Sequence, residues 1–110
     1  MNITTRDSGN IKIVDLDGKL DSNSSDDAQK HFEKMIEQGA SKILVNLEKC
    51  EFVASAGLRV LLLTAKQLKG NGGEIRICTL NENVQEVFDI SGFNTILNVF
   101  PSEPEALSDF

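Results

Sequence analysis

The sequence predicts an α/β domain in which a sheet packs against helices. Strand-like and helix-like segments alternate along the chain, the order expected when helices cover a sheet. Residues 42–47, KILVNL, are a short and almost unbroken apolar run, as in a strand buried on both faces. Helical apolar stripes recur at 28–36 and 58–68, each followed by a glycine stop. The length of 110 residues suits one compact domain, 1-110, with one core.

Taken in order, residues 11–17 (IKIVDLD) partly alternate and end at Gly18, which reads as a strand. Residues 3–6 read as its partner across an Asp7–Ser8–Gly9–Asn10 turn. SNSS at 22–25 supplies helix caps, and Ser24 with Asp27 has the spacing of a capping box. Ala28, Phe32, Met35 and Ile36 then form one stripe of a first helix that Gly39 ends. After the strand at 42–47, residues 48–55 are expected to turn the chain. Residues 56–69 are the second helix, stopped by GNGG at 70–73. EIRIC (74–78) alternates as a strand, and 81–92 is a third helix closed by Gly92. FNTILNVF begins as a turn and ends as a short strand before Pro101, and 103–110 starts a terminal helix with Pro104 in its first turn.

Composition excludes several function classes. The net charge is −6 and no basic stripe is visible, which argues against a nucleic-acid partner. Trp and Tyr are absent, removing the usual stacking platforms for bases. No apolar run approaches the roughly 18 residues that span a bilayer, and MNITTRDSGN has no secretory pattern. No membrane association is expected. Cys50 and Cys78 lie far apart without a CxxC pair, which favours a reduced, cytoplasmic setting. With His31 the only histidine, no metal site is expected, and no motif calls for a cofactor.

Chemical interest centres on VASAGLRVLL at 53–62, where one hydroxyl stands at a strand-to-helix junction. Of three readings of Ser55, the cap and the modification site stay open, and the nucleophile fails for want of its partners. As a helix cap it accepts a bond from a first-turn amide, worth ~1 kcal/mol. As a nucleophile it echoes the GxSxG elbow, but Val53 replaces the first glycine and His31 precedes the serine in chain order. As a modification site it offers a phosphate the free amides of a helix start, and the added charge of about −2 would repel a partner without disturbing the fold. In the helix that follows, Leu58, Leu61, Leu62, Ala65 and Leu68 gather on one arc. Val60 and Leu63 fall on the other arc with Arg59, Thr64, Lys66 and Gln67, and form a candidate binding patch beside Ser55.

The chain resembles the STAS domain family, and within it the small bacterial anti-sigma factor antagonists. The resemblance rests on DGKLD (17–21), KILVNLEKCEFVASAGLRVLL (42–62), GGEIRIC (72–78) and VFDISGF (87–93), and it covers nearly the whole chain. It implies a mixed sheet of four or five strands packed against helices, and a function without catalysis. It further implies binding to an anti-sigma factor that is itself a serine kinase, with release of a sigma factor. Phosphorylation of Ser55 by that kinase would end the interaction, and a metal-dependent serine/threonine phosphatase would restore it. The implied partner surface joins Asp21, Asn23 and Ser24 to Ala54, Ser55, Ala56, Gly57, Arg59, Val60 and Leu63. The chain departs from the family at Ala54 and Ala56, where an aspartate and a hydroxyl residue usually flank the acceptor. An alternative reading is therefore a constitutive, non-phosphorylated STAS interaction module of another bacterial signalling assembly.

Overall fold

The computed structural model describes residues 1–110 and contains six strands and four helices. Strand β1 (Asn2–Ser8) pairs antiparallel with β2 (Ile11–Leu20) through a two-residue loop, Gly9–Asn10. Gly9 leads that loop with φ +59°, a conformation that other residues rarely adopt. The hairpin is therefore tighter, and its first strand longer, than the four-residue turn predicted.

Helix α1 (Ser25–Glu37) crosses to β3 (Lys42–Asn46), which pairs parallel with β2. A short β4 (Cys50–Val53) follows, then α2 (Ser55–Gly70), β5 (Glu74–Cys78) and α3 (Glu82–Ser91). A 3-10 turn (Phe93–Thr95) leads into β6 (Asn98–Phe100) and α4 (Glu103–Leu107). The main path of the sheet runs β1-β2-β3-β5-β6, parallel except for β1, with β4 attached to β2 as a sixth strand. This is the mixed α/β sheet predicted.

Alternation along the strands divides the interior in two. Val14, Leu16, Ile43, Val45, Ile75 and Ile77 face α1, α2 and α3 and form the main core with Phe32, Leu61, Leu68 and Phe88. Ile11, Ile13, Leu44 and Cys78 face the other way, where Ala106 of α4 covers them. Both faces of β3 are buried, as its apolar run requires. The predicted stripe of α1 is in place, with Ala28, Phe32 and Met35 buried. Gly39, Gly72 and Gly92 follow the three long helices with φ of +97°, +78° and +76°, the left-handed conformation expected of a helix stop.

Three local expectations fail. β2 does not end at Gly18 but continues to Leu20. It pairs with β3 only as far as Asp15, and from Gly18 to Leu20 it pairs with β4 instead, with a register shift between Gly18 and Lys19. Residues 48–55 are correspondingly not all turn, because Cys50–Val53 form that parallel partner. The Ser24–Asp27 capping box is absent. Ser24 precedes α1, but its Oγ donates to the carbonyl of Lys19 at 2.7 Å and accepts from the amide of Asp21 at 3.1 Å. The amide of Asp21, in the loop before the helix, has taken the place of the helix amide that a capping hydroxyl would accept from.

Candidate functional site

The diverted half of β2 builds the site. Leu20 and Val53 are register partners at the ends of β2 and β4, and the amide of Ala54 donates to the carbonyl of Leu20 at 2.9 Å. The chain then enters α2 directly. Gly57, in the first turn, lies over Leu20 so closely that a Cβ there would stand 2.6 Å from Leu20 Cγ and 2.7 Å from its carbonyl oxygen. Only glycine permits this approach. From the other side, Asn81 caps α3 by accepting from the amide of Val84, and its Nδ2 donates to the carbonyl of Cys50 at 3.1 Å. β4 is thus anchored to β2 on one flank and to the start of α3 on the other.

This framework corrects the first reading of Ser55. Ala54, with extended backbone, holds the cap position, and Ser55 is the first residue of α2. No side-chain cap bond forms, and the first helical bond is donated by Leu58 to the carbonyl of Ala54 at 3.0 Å. The amides of Ser55, Ala56 and Gly57 therefore have no acceptor within the helix. Ser55 is exposed. The nucleophile reading finds no support in the geometry either. Nε2 of His31 lies 2.8 Å from Oγ1 of Thr5, on β1. Burial is the main cause, with Lys34 second, that pushes the His31 imidazole below its ordinary value.

The loop after β2 meets the start of α2 because Asp21 directly follows Leu20. The Asp21 carboxylate accepts from the amides of Asn23 and Ser24 at 3.0 and 3.3 Å, so it braces the loop. Asn23 is exposed. Ser24 is buried, and its hydroxyl bonds inward, so it shapes the loop rather than presenting itself to a partner.

On α2 the two predicted arcs are partly redrawn. Arg59 and Leu63 are exposed, but Val60 is only 3% exposed and belongs to the main core. Thr64 is buried as well, donating to the carbonyl of Val60 at 2.8 Å. The helix packs on both the sheet and α1, so its buried arc is wider than a single sheet contact would make it. Gly57 is also buried, as a spacer over Leu20. Val60, Ser24 and Gly57 therefore leave the list of exposed candidates, while Asp21, Asn23, Ala54, Ser55, Ala56, Arg59 and Leu63 reach the surface. Sequence reasoning missed Phe52, which is 42% exposed on β4, three residues before Ser55. Its signal lay in CEFV, where Cys50 and Val53 turn inward and the residues between them turn out.

Three other features bear on what the protein can do. The largest open depression, about 810 Å³, is lined by none of the predicted site residues. Within it, Arg6 is bonded to Asp15 and to Glu103 at 2.6 Å each and Asn46 to Glu103 at 3.0 Å. Cys50 and Cys78 are free thiols, and burial pushes both above their ordinary value. No helix is long and apolar enough to cross a membrane.

The STAS domain pattern matches residues 2–106, and the chain belongs to the STAS domain family. A candidate anti-sigma factor antagonist of Bordetella bronchiseptica, BtrV, is 34% identical over 110 residues, covering 100% of this chain and 95% of the relative. Among solved structures, a candidate anti-sigma factor antagonist of Thermotoga maritima superposes with a TM-score of 0.92 at 20% identity, over 97% of this chain and 92% of that one. The anti-sigma factor antagonist SpoIIAA, in its unphosphorylated form, gives 0.82 at 23% identity over 96% and 93%. SpoIIAA from Bacillus has also been solved in its phosphorylated form, with a TM-score of 0.73 to this chain.

Proposed function

We propose that this protein is an anti-sigma factor antagonist that works by binding in the cytoplasm, with no turnover of its own. Its partner is an anti-sigma factor with serine kinase activity, and binding releases a sigma factor. Phosphorylation of Ser55 ends the interaction, and a metal-dependent serine/threonine phosphatase reverses it. The observation that carries this reading is the state of Ser55: an exposed hydroxyl at the start of α2 that caps nothing. A phosphate there meets the free amides of Ser55, Ala56 and Gly57, so the fold tolerates it. The naming of the Bordetella relative, and the existence of a phosphorylated form of SpoIIAA, support the same role. The contact surface comprises Asp21, Asn23, Ala54, Ser55, Ala56, Arg59 and Leu63, to which we add Phe52.

Incubation with the cognate kinase and ATP is expected to add one phosphate, and Ser55→Ala to abolish it. Transfer that persists in Ser55→Ala sinks the site assignment. A second reading, a constitutive STAS interaction module, is favoured by one observation. Ala54 and Ala56 leave the serine without the flanking carboxylate and hydroxyl with which a kinase would orient it. Protein isolated from its native host and free of phosphate under all growth conditions would favour that reading.

A further inference from the structure

The charge on α2 is one-sided. The helix carries Arg59, Lys66 and Lys69 and no acidic residue, in a chain whose net charge is −6. None of the three enters an ion pair, whereas Arg6, Lys12 and Arg76 all do. Arg59 stands four residues after Ser55, and both are exposed. On a helix this spacing puts two side chains on one face, with Cβ atoms about 5–6 Å apart. Helical side chains lean toward the N-terminus, so Arg59 leans over the turn that begins with Ser55. Ala54 and Ala56 supply no carboxylate to engage the guanidinium first.

We propose that Arg59 is the internal receiver of a phosphate on Ser55. The modified side chain and the guanidinium form an ion pair across one helical turn, with the anion N-terminal to the cation, the favourable order. Arginine suits this role because its planar fork can hold two phosphate oxygens at once. The inference rests on Ser55 as the acceptor and specifies how its modification changes the surface. Unmodified, the protein presents a free cation beside Leu63 for a partner to meet. Modified, it gains negative charge and loses the free guanidinium in the same step.

Charged residues on the neighbouring segments define the control. Asp21 in the loop after β2 and Glu51 on β4 are both acidic, and cannot hold a phosphate. Lys19 on β2 is exposed and stands in register with Phe52 of β4, so it is the competing cation from another element.

The test is a phosphorus NMR titration of the full chain with phosphoserine encoded genetically at position 55. No kinase is needed, so the outcome is independent of whether Ser55 is a natural acceptor. The second ionisation of the phosphate is expected to rise by about 0.15–0.4 on the pH scale in R59Q relative to the parent. R59K should recover most of that difference, K19Q should change it little, and urea denaturation should erase it. The same ionisation in the parent and R59Q overturns the proposal. So does a change in K19Q as large as that in R59Q.

Discussion

The amide of Ala54 donates to the carbonyl of Leu20 at 2.9 Å, joining the start of α2 to the end of β2. This one bond brings two segments, more than thirty positions apart in the sequence, to a common surface. It exists because β2 pairs with β3 only as far as Asp15 and takes β4 as its partner from Gly18. The candidate site is therefore a product of strand exchange within the sheet, and its integrity depends on the groups that maintain the exchange.

Gly57→Ala tests that dependence. The added methyl would stand 2.6 Å from Leu20 Cγ, and overpacking of this kind costs about 1–3 kcal/mol. Urea denaturation should show that loss. Partner affinity should fall as well, because the Ala54–Leu20 junction must move to make room. A stability unchanged within error would show that the helix start does not depend on this close approach.

Val60 and Leu63 should separate stability from binding. Val60→Ala removes volume from the main core and is expected to cost about 2 kcal/mol in a chemical melt. Leu63→Ser alters a side chain that is 39% exposed, so its stability should change by no more than about 0.5 kcal/mol. Its affinity for the anti-sigma partner should fall roughly tenfold by calorimetry, the size of a modest interface contact. The reverse pattern would restore the arcs predicted from the sequence.

Glu103 gives the protein a pH-dependent contribution to stability. Its hydrogen bonds with Arg6 hold its carboxyl below the ordinary value of 4.5, with Asn46 adding to the effect. A depressed carboxylate stabilises the fold above its unfolded ionisation, and that stability is lost as pH falls through the folded one. Arg6 is about half exposed, so solvent screening limits the contribution to about 1 kcal/mol. Glu103→Gln should be less stable at pH 7 by that amount. Its further loss on acidification to pH ~3.5 should be smaller than that of the parent, as read by denaturant midpoints at the two pH values.

The second, smaller apolar cluster has its own reporter in Cys78. The Arg76 guanidinium stacks between the rings of Phe100 and Phe110 at 5.1 and 4.4 Å. It also donates to the carbonyls of Ala106, Ser108 and Asp109, so it fastens α4 over Cys78. Arg76→Ala should loosen that cover and speed labelling of Cys78 by a thiol reagent at least tenfold. Cys50, in the main core, should keep the parent rate, which peptide mapping of the label would show. Equal acceleration of both thiols would indicate global destabilisation instead.

Local chemistry was enough to read most of the elements. KILVNL is buried on both faces because a central parallel strand has no solvent side, and GNGG stops α2 because Gly72 adopts a left-handed conformation there. EIRIC, the helix ending at Gly92 and the Pro104 helix were equally legible. The position of Ser55 at a strand-to-helix junction was legible too, from composition on either side of it.

What the sequence by itself determined is this alternation of elements, the acidic surface, and one hydroxyl at the head of an apolar helix. Tertiary structure alone decided the rest. β4 was invisible because CEFV is too short to carry a strand signal, and it is a strand only because β2 bends toward it. Ser24 caps nothing because its hydroxyl accepts from the Asp21 amide instead of a helix amide, while donating to the Lys19 carbonyl. Val60 is core rather than surface because α2 meets α1 as well as the sheet, and periodicity reports one buried face without counting its neighbours. Ser55 lost its role as a cap to Ala54 because the bond from Ala54 to Leu20 sets where the helix begins. For β4, Val60 and Ser55 a contact between distant segments overrode a preference written into adjacent residues; for Ser24 the fold of its own loop did so.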